Sequence, residues 1–400
     1  MIAAVLILSG CALYFMTPAE RQRLLAAVMK RVRQVMAAIQ SRPKRDETSE
    51  LVRARTPLVL ATPTLIALNA GTLALMLLHP GSLGDPDTLV RWGGNFGPRT
   101  TNGEWWRLLT STFVHAGLFR FVVNIAALAQ LGLLLERLVG PITFALVYVT
   151  SGVVTSLISL SANRVSVTVG AEGAVFGLFG LLIAVTIWVL IQRQTVLIRP
   201  RTLANVIPTA AVFALFNVMS GEIDKPTALV AFGVGALSGL VLARGIGQHK
   251  PPARRIAVTL ATTLGTTVLC AVPLRGVADI RPEVSRIIEI ENRTVNGYEK
   301  AVGQFRLGAI KADALAQLID SSIVPPLHEA RERLLAIEGV PPELQPLAAD
   351  ATEFLRLREE AWRVRGVALR KADMRKLRDA DGLERSSLEA LDRIRPLSDR

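Results

Sequence analysis

The stretch Val169-Gly170-Ala171-Glu172-Gly173-Ala174-Val175-Phe176-Gly177 opens an apolar run that continues to Ile191. Gly170, Gly173, Gly177 and Gly180 recur every three or four residues, so they share one face of a helix. A face without side chains lets a second helix backbone come close, which is how helices lock together in lipid. One carboxylate, Glu172, sits inside this smooth surface. A charge at membrane depth is costly and marks either function or a specific partner. The pattern predicts a helix buried among other helices, with a polar site at its start.

Composition agrees with that reading. The 400 residues are 50% hydrophobic and only 20% charged, with a mean hydropathy of +0.39. Several apolar runs of about 20 residues predict an all-α, polytopic membrane bundle. The net charge is +13, yet from Pro273 onward 22 basic and 22 acidic residues cancel, so the whole excess lies before Pro273. This distribution suits loops against anionic lipid and argues against a nucleic-acid partner. The two cysteines, Cys11 and Cys270, lie in apolar runs and build no disulfide framework. His79, His115, His249 and His328 are scattered without ligand spacing, so neither a metal nor a cofactor is expected.

Before the glycine-faced helix, Ile2 to Met16 is a short apolar run with no basic residue ahead of it, a poor secretory signal. Leu8-Ser9-Gly10-Cys11 resembles a lipoprotein cleavage box, but a short signal anchor or a mis-assigned start fits the following basic segment better. Arg21 to Gln40 reads as a basic amphipathic helix, lying on an anionic membrane face or packed on the protein's own loops. A polar linker follows to Arg55. Pro57 to Leu78 is the first long span, with Arg53 and Arg55 marking its cytoplasmic flank. An outer loop from His79 to Leu109 carries Trp105-Trp106-Arg107, suited to the headgroup zone. Thr112 to Leu135 is the second span, with His115, Arg120 and Asn124, and Glu136-Arg137 ends it inside.

Pro141 to Leu160 returns outward, Gly170 to Ile191 goes in, Leu203 to Met219 out, and Ala228 to Ala243 in again. Arg244, Lys250, Arg254 and Arg255 make the next loop cytoplasmic, and Ile256 to Val272 crosses once more. The division is thus a basic amino-terminal region (1–55), a six-helix core (56–245), a basic loop with an additional span (246–272), and an extracytoplasmic helical domain (273–400). In that last part Ile280 to Lys300, Gln304 to Ser321, Pro326 to Ile337 and Pro342 to Leu383 look helical, punctuated by Pro325-Pro326 and Pro341-Pro342. No motif of known chemistry appears there, and a packing or spacer role is expected.

Several motifs, in order, resemble the rhomboid family of intramembrane serine proteases over about Thr56 to Gly245. They are Asn95-Phe96-Gly97-Pro98; Gly103-Glu104-Trp105-Trp106-Arg107; Phe113-Val114-His115-Ala116-Gly117; Glu136 with Gly140; Gly170, Gly173 and Gly177; and Gly235 with Gly239. The resemblance implies a rhomboid-like six-helix core, in which the arginine of the first loop, here Arg107, holds that loop's own backbone. It also implies a Ser–His dyad, the serine on the glycine-faced helix and the histidine on the sixth core helix. Here those positions hold Glu172 and Phe232. The family's oxyanion pair on the second span corresponds to Arg120, where a histidine is expected, and to the retained Asn124. Phe232 can neither accept nor donate a proton, and no histidine lies in Ala228 to Ala243.

In the family fold Arg120 and Glu172 would face one polar cavity, where each charge offsets the expense of the other. An Arg120–Glu172 salt bridge is expected, with Asn124 donating to the carboxylate and Phe232 filling the place of the histidine. The function implied is a rhomboid-like pseudoprotease in a bacterial inner membrane. It would bind transmembrane segments of client proteins, and its basic loops anionic lipid. The alternative is an active intramembrane serine-type endopeptidase with atypical catalytic residues.

Overall fold

The computed structural model describes residues 58–79, 81, 83–192, 200–220, 225–244 and 251–398. The amino-terminal apolar run, the basic amphipathic segment and the linker lie outside the described residues. Among the described residues every regular element is helical, apart from one isolated bridge between Asn95 and Thr168. The chain divides into two compact units. The first comprises Trp105–Ala162 and Val167–Pro273 with the described residues up to Phe96; the second comprises Gly97–Glu104, Asn163–Ser166 and Leu274–Arg400.

The first unit holds α1 (Ala61–Leu78), α2 (Pro86–Arg91), α4 (Arg107–Thr110), α5 (Leu118–Val139), α6 (Pro141–Ala162), α7 (Glu172–Ile191), α8 (Pro200–Ser220), α9 (Lys225–Leu242) and α10 (Ala253–Ala271); α3 (Gly97–Thr100) belongs to the second. Among the described residues, six helices are long and apolar enough to cross a membrane: α1, α5, α6, α7, α9 and α10. α8 covers the remaining predicted crossing, Leu203 to Met219. It runs from Pro200 to Ser220 as one helix of 21 residues with Pro208 inside it, which removes a backbone donor. The second span starts later than expected. Gly117 adopts φ +149 at its amino-terminal cap, so His115 lies in the connection before α5 and not on the helix.

The glycine face works as its spacing requires, but against two neighbours. A Cβ on Gly235 of α9 would overlap the Gly177 backbone, and one on Gly180 would meet the Phe232 carbonyl. On α6, Thr155 stands over Gly173 and Ser151 over Gly177. These are close approaches that any side chain would block. α7 is therefore the central helix, with Val175, Leu178, Leu181 and Val185 fully buried around it.

Glu136, near the carboxy-terminal end of α5, is fully buried and bonds the start of α1. Its carboxylate accepts from the backbone N–H groups of Leu60 (2.6 Å), Ala61 (2.7 Å) and Thr62 (2.7 Å) and from the Thr62 hydroxyl (2.7 Å). A helix start leaves its first N–H groups without intrahelical partners, and a carboxylate there also meets the positive end of the dipole. Gly140 ends α5 at φ +87, a conformation that favours glycine.

The second unit holds α11 (Arg281–Arg306), α12 (Ala312–Leu318), a π-helical turn at Ile319–Ile323, α13 (Val324–Leu335), α14 (Gln345–Lys371) and α15 (Met374–Ser398). Its core gathers Ile287, Ile319, Leu327, Phe354, Leu355, Trp362 and Ile394. The long final helix expected up to Leu383 is two helices. Ala372 takes the left-handed conformation at φ +51, and Asp373 accepts from the N–H groups of Arg375 (3.0 Å) and Lys376 (3.2 Å) to start α15. Within this unit Val277 donates to Thr101 Oγ1 (3.1 Å), Asn102 donates to the Val277 carbonyl (2.9 Å) and Arg281 to the Val165 carbonyl (3.0 Å).

Candidate functional site

Glu172 is the first residue of α7, preceded by Gly170 at φ +121. A Cβ on Gly170 would overlap the Glu172 carboxylate, so the glycine makes the room in which that side chain lies. Arg120 and Asn124 stand one turn apart on α5 and reach the same oxygen. Arg120 Nε donates to Glu172 Oε1 at 2.5 Å, and Asn124 Nδ2 donates to it at 2.9 Å. Arg120 also donates to the Val169 carbonyl (3.0 Å), and Asn124 to the Arg120 carbonyl (3.0 Å). Both charged side chains are buried, 10% and 5% exposed. A charge-assisted bond in such surroundings is strong, and each charge would be expensive alone.

The cavity beside this pair has a volume of about 40 Å³, and Ser111, Thr155, Ser156, Thr168 and Thr227 are among the residues that line it. A space of that size is large enough for water. Phe232 of α9 is half-buried and does not line the cavity; from that helix Thr227 does. His115 is fully buried, with Nδ1 against the Phe113 carbonyl (3.2 Å) and its ring edge-on to Phe121; Nε2 has no hydrogen-bond partner among the described residues. Ser111 and Ser156 hydroxyls meet at 3.1 Å, and among the described residues no histidine is hydrogen-bonded to either.

The first loop is pinned beside the site. Arg107 donates to the carbonyls of Val90 (2.5 Å) and Gly94 (3.1 Å), and its guanidinium lies 4.6 Å over the half-exposed Trp106 ring. Asn95 exchanges backbone hydrogen bonds with Thr168 (3.0 and 2.8 Å), and its side chain donates to the Ser156 carbonyl (2.8 Å). This arrangement joins the loop to the lead-in of α7.

A family model described as Rhomboid domain matches residues 102–248. That range contains α5 to α9 and every member of the polar site. The chain belongs to the rhomboid family. Its relatives include "RHOMBOID-like protein 4" of Arabidopsis thaliana, 32% identical over 169 residues, which are 42% of this chain and 40% of that protein. "Rhomboid protease GluP" of Bacillus subtilis (strain 168) is 34% identical over 126 residues, 32% of this chain and 24% of that protein. "Inactive RHOMBOID-like protein 8" of Arabidopsis thaliana is 35% identical over 98 residues, 24% and 28% of the two chains. The chain thus matches two fifths or less of these three relatives' own lengths.

Within this rhomboid fold the retained residues are structural: Arg107 holds the loop, Glu136 and Gly140 join α5 to α1, and Gly170, Gly173, Gly177, Gly235 and Gly239 line the tight crossings. Sequence reasoning missed the cap made by Glu136, the Val169 carbonyl that takes a second guanidinium nitrogen, and the Ser111–Ser156 pair. The acidic residue before Gly140 was visible, but nothing local names a partner 74 to 76 residues away.

Proposed function

We propose that this rhomboid is a pseudoprotease of a bacterial plasma membrane that engages transmembrane segments of client proteins without cutting them. The observation that carries this is Glu172. At the place where the family resemblance expects a nucleophilic serine stands a carboxylate with Arg120 and Asn124 bonded to one of its oxygens. A carboxylate so committed offers no activated hydroxyl. Clients would approach between α5 and α8, which touch through Phe119 and Phe216 with ring centres 5.2 Å apart. The basic loops support a cytoplasmic face against anionic lipid and a carboxy-terminal unit outside the cytoplasm.

The test is cleavage of a generic transmembrane rhomboid substrate by purified protein in liposomes. The expected result is no cleavage by the native chain, with substrate recovered by crosslinking to residues introduced along α5 and α8. Cleavage that disappears in Glu172→Ala would replace this reading with carboxylate-based proteolysis on the same fold.

A further inference from the structure

A second cavity lies wholly within the second unit and has no part in the site above. It encloses about 450 Å³ between the later half of α11 and the helices α14 and α15. Small-molecule sites span about 300–1,000 Å³, so this one is of ligand size. Its walls combine Val295, Val302 and the rings of Tyr298 and Trp362 with the guanidinium of Arg306. Tyr298 and Trp362 meet edge to face at 4.7 Å, and a Cβ on Gly303 would find open space.

The charges of the cavity are not equivalent. Arg358 is held by Glu291 (2.6 Å) and Glu384 (2.8 Å), and Arg365 by Asp381 (2.5 Å) and Glu384 (2.6 Å). These pairs neutralise one another. Three groups with hydrogens to donate have no acceptor among the described residues: Arg306, the Tyr298 hydroxyl and the buried Trp362 indole N–H. Glu299, at the rim, is the one lining carboxylate without such a pairing.

The cavity also has a direction. Glu291 meets Arg358, and seven residues further along both helices Tyr298 meets Arg365, so α11 and α14 run parallel. Continuing at 1.5 Å per residue, Arg306 and Lys371 lie roughly 9–12 Å beyond that contact, at one end of the unit. The chain at that end, residues 304–313 and 367–379, carries seven cations against three carboxylates. It also exposes apolar side chains: Leu307 is 86% exposed and Met374 67%. One end is thus cationic with apolar side chains among the charges, and the apolar part of the cavity leads away from it.

We propose that this cavity binds one anionic amphiphile, its alkyl chain along Val302, Val295 and the aromatic pair and its acid head at Arg306 and the cationic end. Apolar surface with an adjoining guanidinium fits that chemistry better than a neutral solute, which would give Arg306 no counter-charge. A free fatty acid and an anionic phospholipid share it.

The full-length chain, delipidated in detergent, would be titrated with dodecyl phosphate and read by native mass spectrometry. One saturable equivalent is expected, with dodecanol at least tenfold weaker. Arg306→Glu should weaken binding at least tenfold, and Val302→Trp, which fills the slot, should abolish it. Arg306 is exposed, so its variant decides the matter even if Val302→Trp fails to fold. Parallel titrations with oleate and dioleoyl phosphatidylglycerol identify the source by which one shows the same Arg306 dependence. Dodecanol binding as tightly as dodecyl phosphate, or Arg306→Glu binding as well as the native chain, would overturn the proposal.

Discussion

Replacing Glu172 by Leu tests whether the polar site is a coupled pair. The perturbation leaves the Arg120 guanidinium, 10% exposed, without its carboxylate, while its bond to the Val169 carbonyl remains. Removing one partner of a buried ion pair destabilises by about 3–5 kcal/mol, because the remaining charge is uncompensated. Arg120→Leu should do similar harm, since Asn124 alone then faces a buried carboxylate. The double variant Arg120→Leu, Glu172→Leu removes both charges and should lose only about 1–2 kcal/mol, because apolar replacement of a whole pair is often nearly neutral. The coupling energy is then several kcal/mol, well above the ~0.5 kcal/mol expected of independent sites. Unfolding in mixed micelles of rising dodecyl sulfate content, followed by proteolysis, measures all four chains. Additive losses in the double variant would refute the reasoning and make Arg120 and Glu172 independent residues.

Glu136→Ala would strip three backbone N–H groups and one hydroxyl of their acceptor, and a loss of at least about 3 kcal/mol in the same unfolding assay is expected from unsatisfied buried donors. Gly235→Ala pushes a methyl group into the Gly177 backbone, which cannot rotate away as a side chain could; a loss of about 1–3 kcal/mol and reduced yield should follow. In the second unit, burial opposes ionisation of Glu384, but Arg358 and Arg365 outweigh it and hold its carboxyl below the usual range. A lowered folded pKa gives stability that is present above the unfolded value and lost as pH falls through the folded one. Trypsin resistance of residues 274–398 should therefore fall on acidification below the ordinary glutamate range, and less steeply in Glu384→Gln.

The glycine spacing at Gly170 to Gly180 and at Gly235 and Gly239 was legible because close helix crossing depends on a local property, the missing side chain. Arg120 and Glu172 were legible as opposite charges at positions that the family resemblance brings together. Other features were hidden because they depend on chain geometry or on distant partners. Gly117 breaks the helix ahead of α5, and Ala372 reverses a segment whose charge pattern reads as one helix. The second unit recruits residues 97–104 and 163–166, far from it in sequence. Its paired charges, Arg358 with Glu291 and Glu384, look from sequence like a solvated helix face, yet Arg358 is only 1% exposed.

The carboxylate of Glu136 has a consequence for how the chain is made. During synthesis α1 emerges before α5, and the first N–H groups of α1 wait for an acceptor 74 to 76 residues downstream. That acceptor arrives on the correct face of the bilayer only if α1 and α5 have inserted in opposite directions. A chain whose first span entered backwards would leave a carboxylate and a helix start stranded on opposite leaflets, each short of its partner. The staple between these two helix ends can thus close only once the second long span is in place with its end beside the start of the first.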